Sequence, residues 1–112
     1  MNLENYKLLE KLRKGNDEVD LKVDNIQQIA SDAGTDIITQ IKNKSEMYKE
    51  RYLYYEIDTI TGKATRIKSD LFSNYVEDTI EYKLDKAFKK QNVIVWQVKK
   101  FSLLEKINPQ YE

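Results

Sequence analysis

Residues 51–68 read Arg51-Tyr52-Leu53-Tyr54-Tyr55-Glu56-Ile57-Asp58-Thr59-Ile60-Thr61-Gly62-Lys63-Ala64-Thr65-Arg66-Ile67-Lys68. The run from Arg51 to Asp58 is rich in aromatic and β-branched side chains, which suit a pleated, half-buried surface, so it predicts a strand. Thr59 to Lys63 is turn material with Gly62 available for a positive φ, and Ala64 to Lys68 returns as the second arm of a hairpin. The period of two places Tyr52 and Tyr54 on one face and Leu53, Tyr55 and Ile57 on the other. With one face packed on helices, the other leaves tyrosines exposed, and tyrosine is a frequent anchor of protein interfaces. The remaining sequence is read for the elements that cover this hairpin.

On its N-terminal side, residues 3–14 predict a helix. Leu8, Leu9 and Leu12 form a stripe with Leu3 or Tyr6, Asn2 caps the start, and Gly15 supplies the left-handed residue that ends it. Residues 18–23 alternate polar and apolar and predict a short strand. Asp24 or Asn25 caps a second helix with the stripe Ile26, Ile29, Ala30 and Ala33. Gly34 interrupts, either ending this helix or only weakening a longer one, and a third helix is expected from Thr35 or Asp36 to Tyr48, carrying Ile37, Ile38 and Ile41.

On its C-terminal side, a helix is expected over about 74–90. Ser73 or Asn74 caps it, Glu77 completes a capping box, and Tyr75, Val76, Ile80, Leu84, Ala87 and Phe88 make its apolar face. Val93 to Val98 reads as a strand apolar on both faces, hence mid-sheet, with Trp96 as a core anchor. Residues 102–107 read as one more helical turn before Asn108-Pro109. The order α-β-α-α-β-β-α-β predicts a single small α+β domain over residues 1–112, its helices packed on a small, mainly antiparallel sheet.

Composition narrows the chemistry. The chain has 112 residues, enough for one domain, and its 40% hydrophobic and 34% charged content is globular in balance. It contains no His and no Cys. That removes disulfides, zinc–thiolate sites, thiol nucleophiles and the commonest general base. Gly62-Lys63-Ala64 lacks the first glycine and the hydroxyl of a P-loop. The acidic run Asp17, Glu18, Asp20, Asp24 lacks the central Gly and distal Glu of a calcium loop. Glu56 and Asp58, a candidate carboxylate pair, read as strand surface. No enzyme, metal site or cofactor is therefore expected. No stretch approaches 18 apolar residues and Met1–Asn5 shows no leader pattern, so the expectation is a cytoplasmic protein away from membranes. Lys, Ile, Asn and Tyr supply 43 of the 112 residues. Their codons are A/T-rich, which points to a low-GC bacterium or its phages and plasmids.

Two functions follow. Ile29, Ala30, Ala33 and Gly34 resemble the first half of a helix-turn-helix. Thr35 departs from that pattern, and the next anchors, Ile38 and Ile41, fall one residue off register. Over residues 3–68 the element order resembles a winged helix. That resemblance implies a DNA-binding regulator using residues 36–68: Lys42, Lys44, Lys49 and Arg51 from a recognition helix, and Lys63, Arg66 and Lys68 from the wing. It also implies a homodimer, paired through helix 74–90. Residues 1–34 carry net charge −2, residues 35–68 net +2 and the rest zero, so the basic excess falls on this region. A chain of zero net charge nevertheless lacks the basic footprint of strong DNA binders. The leading expectation is a small non-enzymatic binding protein of phage or mobile-element type. It would dock on a larger host or phage protein as inhibitor, adaptor or assembly component, through Tyr52, Tyr54, Arg51, Lys63 and Arg66.

Overall fold

A computed structural model describes residues 3–33, 35–45, 51–70 and 72–101. The element order is α1 (Leu3–Lys14), β1 (Glu18–Asp20), a 3-10 turn (Val23–Asn25), α2 (Ile26–Ala33), β2 (Asp36–Ile38), β3 (Tyr52–Asp58), β4 (Lys63–Ile67), a second 3-10 turn (Val76–Asp78), α3 (Ile80–Phe88) and β5 (Val93–Lys99). The strands form one sheet in the order β1-β4-β3-β5-β2, with every neighbouring pair antiparallel. The fold is α+β, as expected.

The hairpin β3–β4 is the centre of this sheet. Asp58 builds its turn: Oδ1 accepts from the backbone N–H of Ile60 at 2.8 Å and of Thr61 at 3.1 Å. Those N–H groups, Thr61 first, hold the Asp58 carboxyl below its ordinary value. Gly62 follows at φ 78°, and its N–H donates to the Asp58 carbonyl at 2.8 Å. The register then pairs Ile57 with Ala64 and Tyr54 with Ile67.

Helices cover both faces. Leu53, Tyr55 and Ile57 of β3, Val19, Ala64, Trp96 and Val98 pack against Leu8 and Leu12 of α1 and Ile26 and Ile29 of α2. On the opposite face, Tyr54 and Val95 pack against Ile80, Leu84 and Ala87 of α3. Alternation along each strand decides this division, because the register aligns Tyr55 with Trp96 and Tyr54 with Gln97.

Helix α1 ends as its sequence predicts. Gly15 has φ 83°, its N–H reaches the Leu12 carbonyl at 3.1 Å, and Asn16 N–H reaches the Lys11 carbonyl at 3.1 Å. This is the paired bonding of a Schellman cap. Tyr55 ties that helix end to the sheet: its hydroxyl lies 3.0 Å from the Leu12 carbonyl and 2.8 Å from that of Asn16. Burial pushes its pKa up from 10.0 to about 12. The folded state thus holds the phenolic proton more tightly than the unfolded chain. The resulting stability is complete below pH 10 and is lost as pH rises from there through about 12. Alkaline titration followed by circular dichroism is expected to show loss of structure in that window. Tyr55→Phe should flatten this dependence, while costing about 1–2 kcal/mol at neutral pH because the one hydroxyl donor shared by the two carbonyls is lost.

Two elements differ from expectation. Asp36–Ile38 is strand β2 where a third helix was predicted to begin, pairing Ile37 with Trp96 and Ile38 with Val95. Thr35, Ile37 and Ile38 are β-branched, and β5 is an apolar strand whose outer edge needs a partner; local helical periodicity loses to that pairing. Among the described residues, a strand therefore stands where the recognition helix of a winged-helix arrangement would start. The second difference is α3, which begins at Ile80 instead of Asn74. Its cap is Thr79, whose Oγ1 accepts from Tyr82 N–H at 3.2 Å. Gly34, Tyr48, Lys49 and the expected turn at 102–107 lie outside the described residues.

Candidate functional site

The hairpin residues expected to form one contact surface are separated by the sheet. Tyr54 is 5% exposed and buried under α3, with its hydroxyl 3.4 Å from the Gln97 amide nitrogen. This corrects its assignment as a surface anchor: α3 covers the face that the sequence left open. Tyr52 is half-buried on the same face. With Tyr54 and Gln97 it floors a groove of about 520 Å³, whose outer wall runs from Thr39 to Asn43 and includes Lys42. Arg51 is exposed at the start of β3.

The remaining cations are placed elsewhere. Arg66 is on the opposite face, half-buried, donating from Nη1 to the Gly15 carbonyl at 3.1 Å. Lys63 is at the turn end of the hairpin, four residues from the level of Tyr54 or about 13 Å, and pairs with Glu18 at 3.1 Å. Lys68 pairs with Asp17 at 2.6 Å, and that hydrogen bond holds the Asp17 carboxyl below its ordinary value. Lys44 lines a second cavity beside α3. The proposed wing thus spends Lys63 and Lys68 on ion pairs and turns Arg66 inward, so these side chains do not converge on one binding surface.

A different surface stands out. Between β4 and α3, Phe72 is 96% exposed, Tyr75 75% and Val76 71%. Its described residues are nevertheless tied together by their own polar groups. Asp70 N–H donates to the Asp78 carbonyl at 3.0 Å and closes the loop. Asp70 Oδ1 accepts from Phe72 N–H at 3.0 Å, and Ser73 N–H reaches the Asp70 carbonyl at 3.2 Å. The Ser73 hydroxyl donates to Asp78 Oδ2 and accepts from Tyr75 N–H at 3.1 Å. Asp78 N–H returns to the Tyr75 carbonyl at 3.1 Å, and Thr79 Oγ1 donates to the Val76 carbonyl at 2.7 Å. Lys83 Nζ braces the base through the Lys68 carbonyl at 2.7 Å.

The result is a hook whose described polar groups bond to one another and from which Phe72, Tyr75 and Val76 point out. Val76 joins it to the second cavity, about 440 Å³, walled by Ile41, Tyr82 and Phe88 with Lys44 and Asp85 at its rim. A smaller recess of about 420 Å³ lies on the other flank, between Phe72 and Lys83.

The sequence contained a signal for this hook. Asp70, Ser73 and Asn74 fall within five positions, a density of turn formers that argues against a helix start. Apolar periodicity through Tyr75 and Val76 extended the predicted helix over them. Among the described residues no group of acidic side chains is placed to hold a metal ion, and no helix is long and apolar enough to cross a membrane. The chain matches no protein-family model, no curated protein and no solved structure.

Proposed function

We propose that this chain is a small non-enzymatic binding protein of phage or mobile-element type, acting in the cytoplasm. It docks on a larger protein machine as inhibitor, adaptor or assembly component. Its contact surface is the hook of Phe72, Tyr75 and Val76, rather than the hairpin. One observation carries this reading: three large apolar side chains are held in solvent by a loop that bonds to itself. Exposed apolar surface of this kind costs solubility and returns nothing to the fold, whereas buried in a partner each aromatic contributes substantially. Because residues 72–79 already bond to one another, binding bears less of the entropy of ordering them. The non-enzymatic part rests on the absence of His and Cys from the chain. A DNA-binding regulator using residues 36–68 has less support, since that segment begins as strand β2 and its cations are dispersed.

The test is a pull-down from host-cell lysate with the wild-type chain and a Phe72→Ser/Tyr75→Ser variant. The wild type is expected to retain one protein that the variant loses, with affinity reduced at least about a hundredfold, as for paired interface hot spots. The melting temperature should stay within about 2 °C, because surface substitutions away from packed features change stability little. Retention of the same protein by the variant would remove the hook from the interface.

A further inference from the structure

We infer that the partner seated on this hook presents an apolar cleft rimmed by lysine and arginine; the inference rests on the docking reading above. The chain as a whole is neutral, but the stretch that builds the hook is not. From Ser69 to Tyr82 it contains Asp70, Glu77, Asp78 and Glu81 and no basic residue. Phe72, Tyr75 and Val76 project from the middle of this stretch. Three cations stand at its flanks: Lys68, paired with Asp17 at 2.6 Å, Lys83, whose Nζ donates to the Lys68 carbonyl at 2.7 Å beside Phe72, and Lys44 across the cavity from Val76. With Lys68 paired, the four carboxylates outnumber Lys83 and Lys44, so a partner closing over the hook meets apolar surface at the centre and an excess of negative charge around it. Interfaces are arranged so that opposite potentials face each other, and like charges brought together across one are costly.

That charge pattern discriminates among occupants. A second copy in an isologous contact would set the same patch against itself, acid against acid. An anionic lipid surface would repel the same carboxylates. A cationic rim around an apolar cleft satisfies both parts: the aromatics fill the cleft and the carboxylates face the rim. Asp70 and Asp78 are held in place by bonds within the loop, Asp70 to the Phe72 N–H and Asp78 to the Ser73 hydroxyl. Glu77 is exposed and is the carboxylate best placed for direct pairing.

The experiment uses the full chain, isotope-labelled, titrated with two short amphipathic peptides of one design, one of leucine and lysine and the other of leucine and glutamate. The leucine–lysine peptide is expected to shift resonances of residues 72–78 and saturate, at least about tenfold tighter than the leucine–glutamate peptide. Added salt should erase the difference. Glu77→Lys should reduce the preference, and Phe72→Ser should remove binding of both peptides. Equal binding of the two peptides at 72–78 would overturn the cationic rim while leaving the hook a docking surface. Absence of shifts at 72–78 with either peptide would overturn the inference, and if the Phe72→Ser/Tyr75→Ser variant also keeps its lysate partner, the docking reading falls with it. A concentration-dependent dimer abolished by Phe72→Ser would also overturn it, assigning the hook to a second copy.

Discussion

Replacing Trp96 by Ala is expected to remove most of the stability of the fold. Trp96 is fully buried on β5, with Tyr55 of β3 on one side and Ile37 of β2 on the other. It therefore sits where the central hairpin, the edge strand and the α1–α2 layer meet. Truncation removes a bicyclic side chain from a site whose neighbours are held by strand pairing and cannot collapse inward. Such changes cost about 3–5 kcal/mol, set against about 5–15 kcal/mol for a whole domain. The melting temperature should fall by roughly 15–25 °C, read by thermal circular dichroism. Trp96→Phe should be milder, since the indole N–H meets no acceptor among the described residues and no hydrogen bond is lost with it. An Ala variant melting within a few degrees of wild type would refute the placement of Trp96 in the core.

Gly62→Ala should be the most damaging of the smallest substitutions. A Cβ at residue 62 would lie 2.8 Å from the Lys22 carbonyl carbon and 2.8 Å from the Val23 nitrogen. Both atoms are backbone and cannot rotate away. The residue is also at φ 78°, where an L side chain is strained. Relief requires pulling the hairpin turn from the chain leaving β1, at the expense of the bond from Leu21 N–H to the Gly62 carbonyl at 2.9 Å. Strain, overlap and the lost bond together suggest about 3–5 kcal/mol by urea denaturation. Gly15→Ala is the control. It shares the positive φ, but its Cβ would meet the guanidinium end of Arg66 at 2.9 Å, a group that can swing aside. It should cost about 1–2 kcal/mol. Equal costs at the two positions would mean that backbone conformation alone, and not close approach, governs Gly62.

The contrast between these glycines shows how far local sequence carries. Both are legible as residues needing positive φ, one ending a helix and one closing a hairpin, because those demands arise within a few residues of the glycine itself. That Gly62 also presses on Lys22, forty residues earlier, has no local trace. The same limit explains the site. Tyr52 and Tyr54 share a face by strand periodicity, as read from the sequence. Whether that face is open depends on α3, which arrives from residues 80–88 and buries Tyr54. Tyr75 and Val76, read as part of a helix's apolar face, show the reverse error. Their apolar character suggested burial, but the polar groups of Asp70, Ser73 and Asp78 fold the segment so that no core receives them.

What the sequence determined by itself is therefore the part governed by short-range physics. It specified the hairpin with its turn at Gly62, helix α1 with its stop at Gly15, the strand through Trp96, and the exclusion of histidine and cysteine chemistry. Periodicity, propensity and capping act over a few residues and can be read there. The tertiary structure alone decided that Asp36–Ile38 pairs with β5 as a strand, that helices cover both faces of the hairpin, and that the most exposed large apolar side chains among the described residues lie at Phe72, Tyr75 and Val76. Each of those outcomes is a competition among distant segments for the same sheet edge or the same apolar face. The winner is set by the total burial and pairing of the assembled chain, which no window of sequence contains.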